Sequence, residues 1–166
     1  MRYRTFGRTG SQGSEIGFGG WAIGGGWDPQ RDEESLAALH RALDLGVTFI
    51  DTAQGYGQGH SERLIGQVLR ERGERVGASD IKVATKIPPR DGHWPPFPYD
   101  GMDARYPAAY LRQGVEESLQ RLEAERLDLL RPPYLDASLE PAARTPGSPA
   151  RPSEGREDRR DWYFYP

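Results

Sequence analysis

Cysteine is absent from the 166 residues, which excludes disulfides and thiolate metal sites. No apolar run approaches the roughly 20 residues that a membrane-crossing helix needs. The polar opening MRYRTFGRTG is no signal peptide, so a soluble cytoplasmic protein is expected. Charge of one sign is not in excess either. Lys and Arg total 22 against 25 Asp and Glu, a formal net charge of −3, which gives no electrostatic reason to expect nucleic acid or an anionic membrane as partner. Lysine itself is scarce: it occurs only as Lys82 and Lys86 in an arginine-rich chain. A lysine kept where arginine is the habit suggests that a compact ammonium is wanted. The length fits one domain with room for a core.

What is present is organised around the stretch TFIDTAQGYGQGHSERL, Thr48 to Leu64. The β-branched and aromatic run Val47 to Ile50 reads as a buried parallel strand. It stops on Asp51, a glycine-rich turn then carries Tyr56, and Ser61 followed by Glu62 opens a helix. Taken alone, Asp51 also reads as a turn cap with Tyr56 packed over it. Lys86 changes that reading, because it closes the next strand-like run, Ile81 to Lys86, just before the helix-blocking Pro88-Pro89. Residues that close adjacent parallel strands lie together at one mouth of a barrel, so an acid, a phenol and an ammonium would share a pocket.

The rest of the chain follows in alternation. Arg2–Phe6 and Ser11–Ser14 predict a hairpin, and Glu15–Gly19 a first strand. Asp32–Leu45 predicts an amphipathic helix capped by Asp32, with Leu36, Leu39 and Leu43 inward and Gly46 ending it. Ser61–Arg72 predicts a helix with Leu64, Ile65, Val68 and Leu69 inward. Pro88–Pro107 is a proline- and aromatic-rich loop. In it Trp94, Phe97 and Tyr99 could line a pocket or form a self-packed flap, and His93 reads as a loop histidine with no partner at metal-ligand spacing. Tyr110–Glu125 predicts a helix with Leu111, Val115, Leu119 and Leu122 inward, and Leu127–Leu130 begins a fourth strand. No metal site is expected. The glycine-rich text GFGGWAIGGG opens no helix within reach, so a dinucleotide-fold fingerprint is rejected.

The ordered set G-V-T-F-I-D-T-A-x-x-Y-G, then G-x-S-E-x-x-I-G, then a strand ending A-T-K resembles the aldo-keto reductase superfamily, over about Tyr3 to Leu130. The resemblance implies an α/β fold: about four βα units of a partial (β/α)8 TIM barrel, with an N-terminal β-hairpin plugging its bottom. The strand–helix rhythm agrees with a barrel and also with a doubly wound sheet; the motif favours the barrel. It further implies an NAD(P)H-dependent oxidoreductase that reduces an aldehyde or ketone, a small carbonyl substrate, to an alcohol. Tyr56 would be the general acid. Lys86 would stabilise its phenolate, and Asp51 would pair with Lys86 and help position the nicotinamide ribose. Gly20 would let backbone approach the nicotinamide and Trp21 would wall the pocket, although this loop also reads as a solvent turn with a packed Trp. NADP cannot be told from NAD, and the oligomeric state is not legible.

After Leu130 the text changes. Residues 131–166 hold seven of the fourteen prolines and six arginines but no lysine. By composition this is a disordered C-terminal tail. The family continues its fourth strand as L-Q-L-H, whereas here Leu130 is followed by Arg131-Pro132-Pro133, so the family's histidine is missing. The expectation is therefore residues 1–130 as a half-barrel and 131–166 as a truncated, out-of-frame tail. Tyr134–Glu140, encoded TAC CTG GAC GCC AGC CTG GAA and read one base later, gives Thr-Trp-Thr-Pro-Ala-Trp, which is like family text; a genuine disordered tail is the rival explanation. The alternative function is an inactive fragment, at most a binding or aggregating half-barrel.

Overall fold

Short β-branched and aromatic runs alternate with amphipathic helices along the chain. The computed structural model describes residues 1–26, 30–77, 79–92 and 102–131, all within one unit, Met1–Leu135. In chain order these residues form β1 (Tyr3–Thr5), β2 (Gln12–Ser14), β3 (Phe18–Gly19), a 3-10 turn (Ala22–Gly24), α1 (Asp32–Asp44), β4 (Phe49–Asp51), α2 (His60–Glu71), β5 (Lys82–Lys86), α3 (Met102–Arg105), α4 (Ala108–Arg121) and β6 (Leu129–Arg131). Strands β3, β4, β5 and β6 make one parallel sheet in sequence order, with helices between consecutive strands. This is the expected α/β architecture, about four βα units of a TIM barrel.

Register decides which side chains share a face. Asp51 pairs with Gly19 and Ala84, and Lys86 pairs with Arg131. Side chains alternate along a strand, so Phe49, Asp51, Ala84, Lys86, Leu129 and Arg131 lie on one face and Ile50, Val83, Thr85 and Leu130 on the other. The second face meets the helices: Ile50 and Val83 join Leu39, Leu43, Leu64, Ile65, Val68, Leu69 and Leu122 in the core. The four inward positions expected of α2 are all buried, as are Leu39 and Leu43 of α1, while Leu36, Leu111, Val115 and Leu119 are half-buried.

At the foot of the sheet, the β1–β2 hairpin is antiparallel with Arg4 opposite Gly13. Ser14 and Thr48 exchange two backbone–hydroxyl hydrogen bonds of 2.9 Å each. Phe6 stacks on Phe49, ring centroids 5.3 Å apart. Arg2 and Arg4 both pair with Glu15, whose carboxyl is held below the ordinary carboxylate value, chiefly by the hydrogen bond from Arg4. The hairpin is thus tied to the end of β4 opposite Asp51.

Several boundaries differ from expectation for local reasons. Asp32 does not cap α1. Extended Arg31 occupies the cap, and Asp32 is the first helical residue, bonded through Oδ1 to His60 Nε2 at 2.8 Å. Gly46, at φ 87°, does end the helix: its N–H donates to Leu43 O and that of Val47 to Ala42 O, which satisfies the last carbonyls. Helix α2 starts one residue early, on His60. The Pro88–Pro107 segment contains α3, a single turn too short for periodicity to reveal, and Tyr106 beyond it is buried. Helix α4 starts directly after Pro107 and ends at Arg121, because Glu123 turns left-handed at φ 52°. His93, Trp94, Phe97, Tyr99 and residues 132–166 lie outside the described residues. Among the described residues no helix is long and apolar enough to cross a membrane, and no group of three metal-ligating side chains occurs.

Candidate active site

Three of the parallel strands end on a charged residue of the same face: Asp51 closes β4, Lys86 closes β5 and Arg131 closes β6. The carboxyl ends of such strands are where a (β/α) barrel presents its chemistry. Lys86 is 9% exposed, and a buried ammonium is tolerated only when its three N–H groups are satisfied. They are. Nζ donates to Asp51 Oδ2 at 2.6 Å, to the Thr52 carbonyl at 2.8 Å and to the Tyr56 hydroxyl oxygen at 3.0 Å. It also lies 4.7 Å from the centroid of the Tyr56 ring, within cation–π range.

One consequence bears directly on chemistry. An ammonium has no acceptor, so the phenolic proton of Tyr56 cannot be spent on Lys86. The oxygen accepts from Lys86 while its own O–H stays available to another acceptor. The structure thus brings together Asp51, Tyr56 and Lys86.

Backbone holds this group in place. Thr52 N donates to Ala84 O and Gln54 N to Lys86 O, which fastens the turn after β4 to β5. Gln54 Nε2 donates to Gly114 O at 2.6 Å and reaches Ser118 Oγ at 3.1 Å, tying the Tyr56 turn to α4. On the other side, Gly24 and Gly57 pack backbone to backbone; a Cβ on Gly57 would lie 2.0 Å from Gly24 O. This close approach sets Trp21 over Tyr56, ring centroids 6.2 Å apart and 21° from parallel. Trp21 remains 38% exposed and forms an aromatic wall beside Tyr56.

Gly20 is buried. Its N–H donates to Asp51 O at 2.7 Å, and a Cβ there would sit 2.6 Å from Ser61 Oγ. Packing alone therefore demands glycine at this position. Behind the sheet, Thr85 Oγ1 donates to Glu62 Oε1 at 2.6 Å and Arg121 Nε to Glu62 Oε2 at 2.6 Å, with Glu62 wholly buried. Sequence reasoning missed Gln54, Glu62 and Arg131. Glu62 reads only as part of the Ser61-Glu62 helix start, and Arg131 as the start of a proline–arginine tail. Arg131 Nη2 instead donates to Asp51 Oδ1 at 3.0 Å.

Residues 15–140 match the model of the Aldo/keto reductase family. The chain belongs to the aldo/keto reductase family. The matched segment runs ten residues past Leu130, where the sequence reading places the break. Aldo-keto reductase YhdN of Bacillus subtilis is 35% identical over 130 residues, which cover 78% of this chain and 37% of that protein. Among solved structures, the thermostable aldo-keto reductase Tm1743 superposes with a TM-score of 0.61 at 31% identity, over 84% of this chain and 45% of that one. An aldo/keto reductase from Klebsiella pneumoniae, solved in complex with NADP and acetate, gives a TM-score of 0.53 at 26% identity, over 73% and 35% of the two chains. This chain spans about 37% of the length of the first curated relatives it matches.

Proposed function

We propose that Asp51, Tyr56 and Lys86 form the proton-donating site of a carbonyl reductase that uses NAD(P)H to turn an aldehyde or ketone into an alcohol. The observation that carries this reading is the Lys86 ammonium donating to Tyr56 and Asp51 together. A carbonyl oxygen placed against the Tyr56 hydroxyl accepts its free O–H. As negative charge grows on that oxygen the proton passes across, and the resulting phenolate is already paired with Lys86. Asp51 keeps the ammonium charged and aimed, and the phenol is restored by a proton from water. Such placement is worth about 10²–10⁴ in rate.

The nicotinamide end of a cofactor suits the residues present. Trp21 offers an exposed ring, and Asp51, about a third exposed, keeps lone pairs for a ribose hydroxyl beside its bond to Arg131. A bound nicotinamide supplies a hydride to the carbonyl carbon. A Klebsiella pneumoniae relative holding NADP supports a nicotinamide cofactor for this family site.

A second reading, a non-catalytic partial barrel, draws on a different observation: among the described residues the parallel sheet has four strands, with β3 and β6 at its edges. His40 and His60, paired with Glu71 and Asp32, offer no histidine to Tyr56. One experiment separates the two readings. NADPH oxidation by the full chain with a neutral aldehyde is expected to proceed and to fall at least about 100-fold in Tyr56→Phe. A folded wild-type chain with no turnover supports the partial-barrel reading. The out-of-frame reading of 131–166 is decided by the nucleotide sequence around codon 130, where a continuous family frame without a shift would overturn it.

A further inference from the structure

We infer that Arg131 makes this site a receptor for carbonyl compounds that also carry a carboxylate a few carbons from the C=O, that is, oxo acids rather than neutral aldehydes. The inference rests on the reductase reading and names its substrate class. Tyr56 and the three charged strand-end residues form one hydrogen-bonded array, from Tyr56 through Lys86 and Asp51 to Arg131. Asp51 is its one anion and Lys86 and Arg131 are two cations, so among the described residues this hydrogen-bonded array holds one positive charge more than negative.

The surplus resides on Arg131. Lys86 is buried and has spent all three N–H groups. Arg131 has a side chain 49% exposed, and among the described residues its guanidinium bonds only Asp51 Oδ1. A guanidinium has five N–H donors in a planar fork that matches a carboxylate, so donors remain for a ligand. Register sets the reach. Arg131 is the β-partner of Lys86 on the neighbouring strand, roughly 4.8 Å across a sheet. An acceptor carbonyl at the Tyr56 hydroxyl and an anionic group at Arg131 are therefore spanned by a short molecule. The Asp51 contact also stops the long side chain from swinging freely, which lowers the ordering cost of binding.

The test compares 4-oxobutanoate with its neutral methyl ester, titrated calorimetrically into the full chain. The acid is expected to bind about tenfold or more tightly than the ester, the scale of a charge-assisted pair. The preference should shrink with salt. Arg131→Gln should bring the ratio of the two affinities close to one, and Arg131→Lys, which keeps charge without the fork, should retain part of it. Equal binding of acid and ester by the wild-type chain, which needs no variant to fold, overturns the inference, as does a ratio unchanged in Arg131→Gln. Failure is separable from failure of the reductase reading. Turnover of a neutral aldehyde without acid preference removes only the anion site, whereas acid preference without any NADPH oxidation removes only the reductase.

Discussion

A methyl group at Gly20 would meet Ser61 Oγ at 2.6 Å, Asp51 O at 3.0 Å and Thr52 Oγ1 at 3.3 Å. Two of those atoms already bond each other, Thr52 Oγ1 to Ser61 Oγ at 2.8 Å, so neither can yield without loss. Gly20→Ala is expected to destabilise the chain by about 1–3 kcal/mol, the usual cost of overpacking, read from urea unfolding midpoints. Removing the nearest obstacle in Gly20→Ala/Ser61→Ala should recover part of it. An additive double variant would show that the collision is not with Ser61. The same scale explains what could be read in advance. The placement of Asp51, Tyr56 and Lys86 was legible because Asp51 and Lys86 close consecutive strand-like runs, Tyr56 stands in the turn beyond the first, and all three fall in one ordered motif. Arg131 was not, because Arg-Pro-Pro erases the strand pattern one residue after it is needed. Gln54 was not, because a glutamine in a glycine-rich turn looks solvated until α4 is packed beside it.

At the scale of elements, two ties between segments carry predictions. Glu62 joins α2 to β5 through Thr85 and to α4 through Arg121. Glu62→Gln keeps one acceptor but strips the charge from a wholly buried carboxylate that pairs with the half-buried Arg121. A loss of about 1.5–3 kcal/mol is expected, toward the lower end because Arg121 keeps Glu117 within 3.6 Å and part of its exposure. Unfolding midpoints equal to wild type would mean that the pair contributes nothing.

The hairpin is tied by Glu15. Its folded carboxyl titrates below the ordinary value because of Arg4 first and Arg2 second. That contribution is present above the unfolded carboxyl value and is lost as pH falls through the folded one. Amide protection in β1 and β2, taken relative to the intrinsic exchange rate at each pH, should therefore fall on acidification, and Glu15→Gln should remove that acid dependence. An unchanged acid profile in the variant would assign it elsewhere. Helix and strand existence followed from hydrophobic period. Their ends did not, since α1 begins beside an extended arginine and α4 stops at a left-handed glutamate, neither of which composition reveals.

For the whole molecule, the site depends on segments far apart in sequence: the loop bearing Trp21, the turn bearing Tyr56, and the ends of β5 and β6. The parallel sheet aligns those strand ends, while the helices bury the opposite face. The barrel architecture was legible from the motif and the strand–helix rhythm together. Lys86 is a buried ammonium with all three protons committed, one of them to Tyr56. Scarcity of lysine makes this directly measurable. In a chain labelled with ¹⁵N only at lysine, two side-chain ammonium signals arise, from Lys82 and Lys86, and Lys86→Met assigns them. The Lys86 signal should exchange slowly with water and shift in both Tyr56→Phe and Asp51→Asn, while that of Lys82 stays put. A Lys86 ammonium that exchanges as fast as a solvated lysine, or is indifferent to Tyr56→Phe, would contradict the site described here.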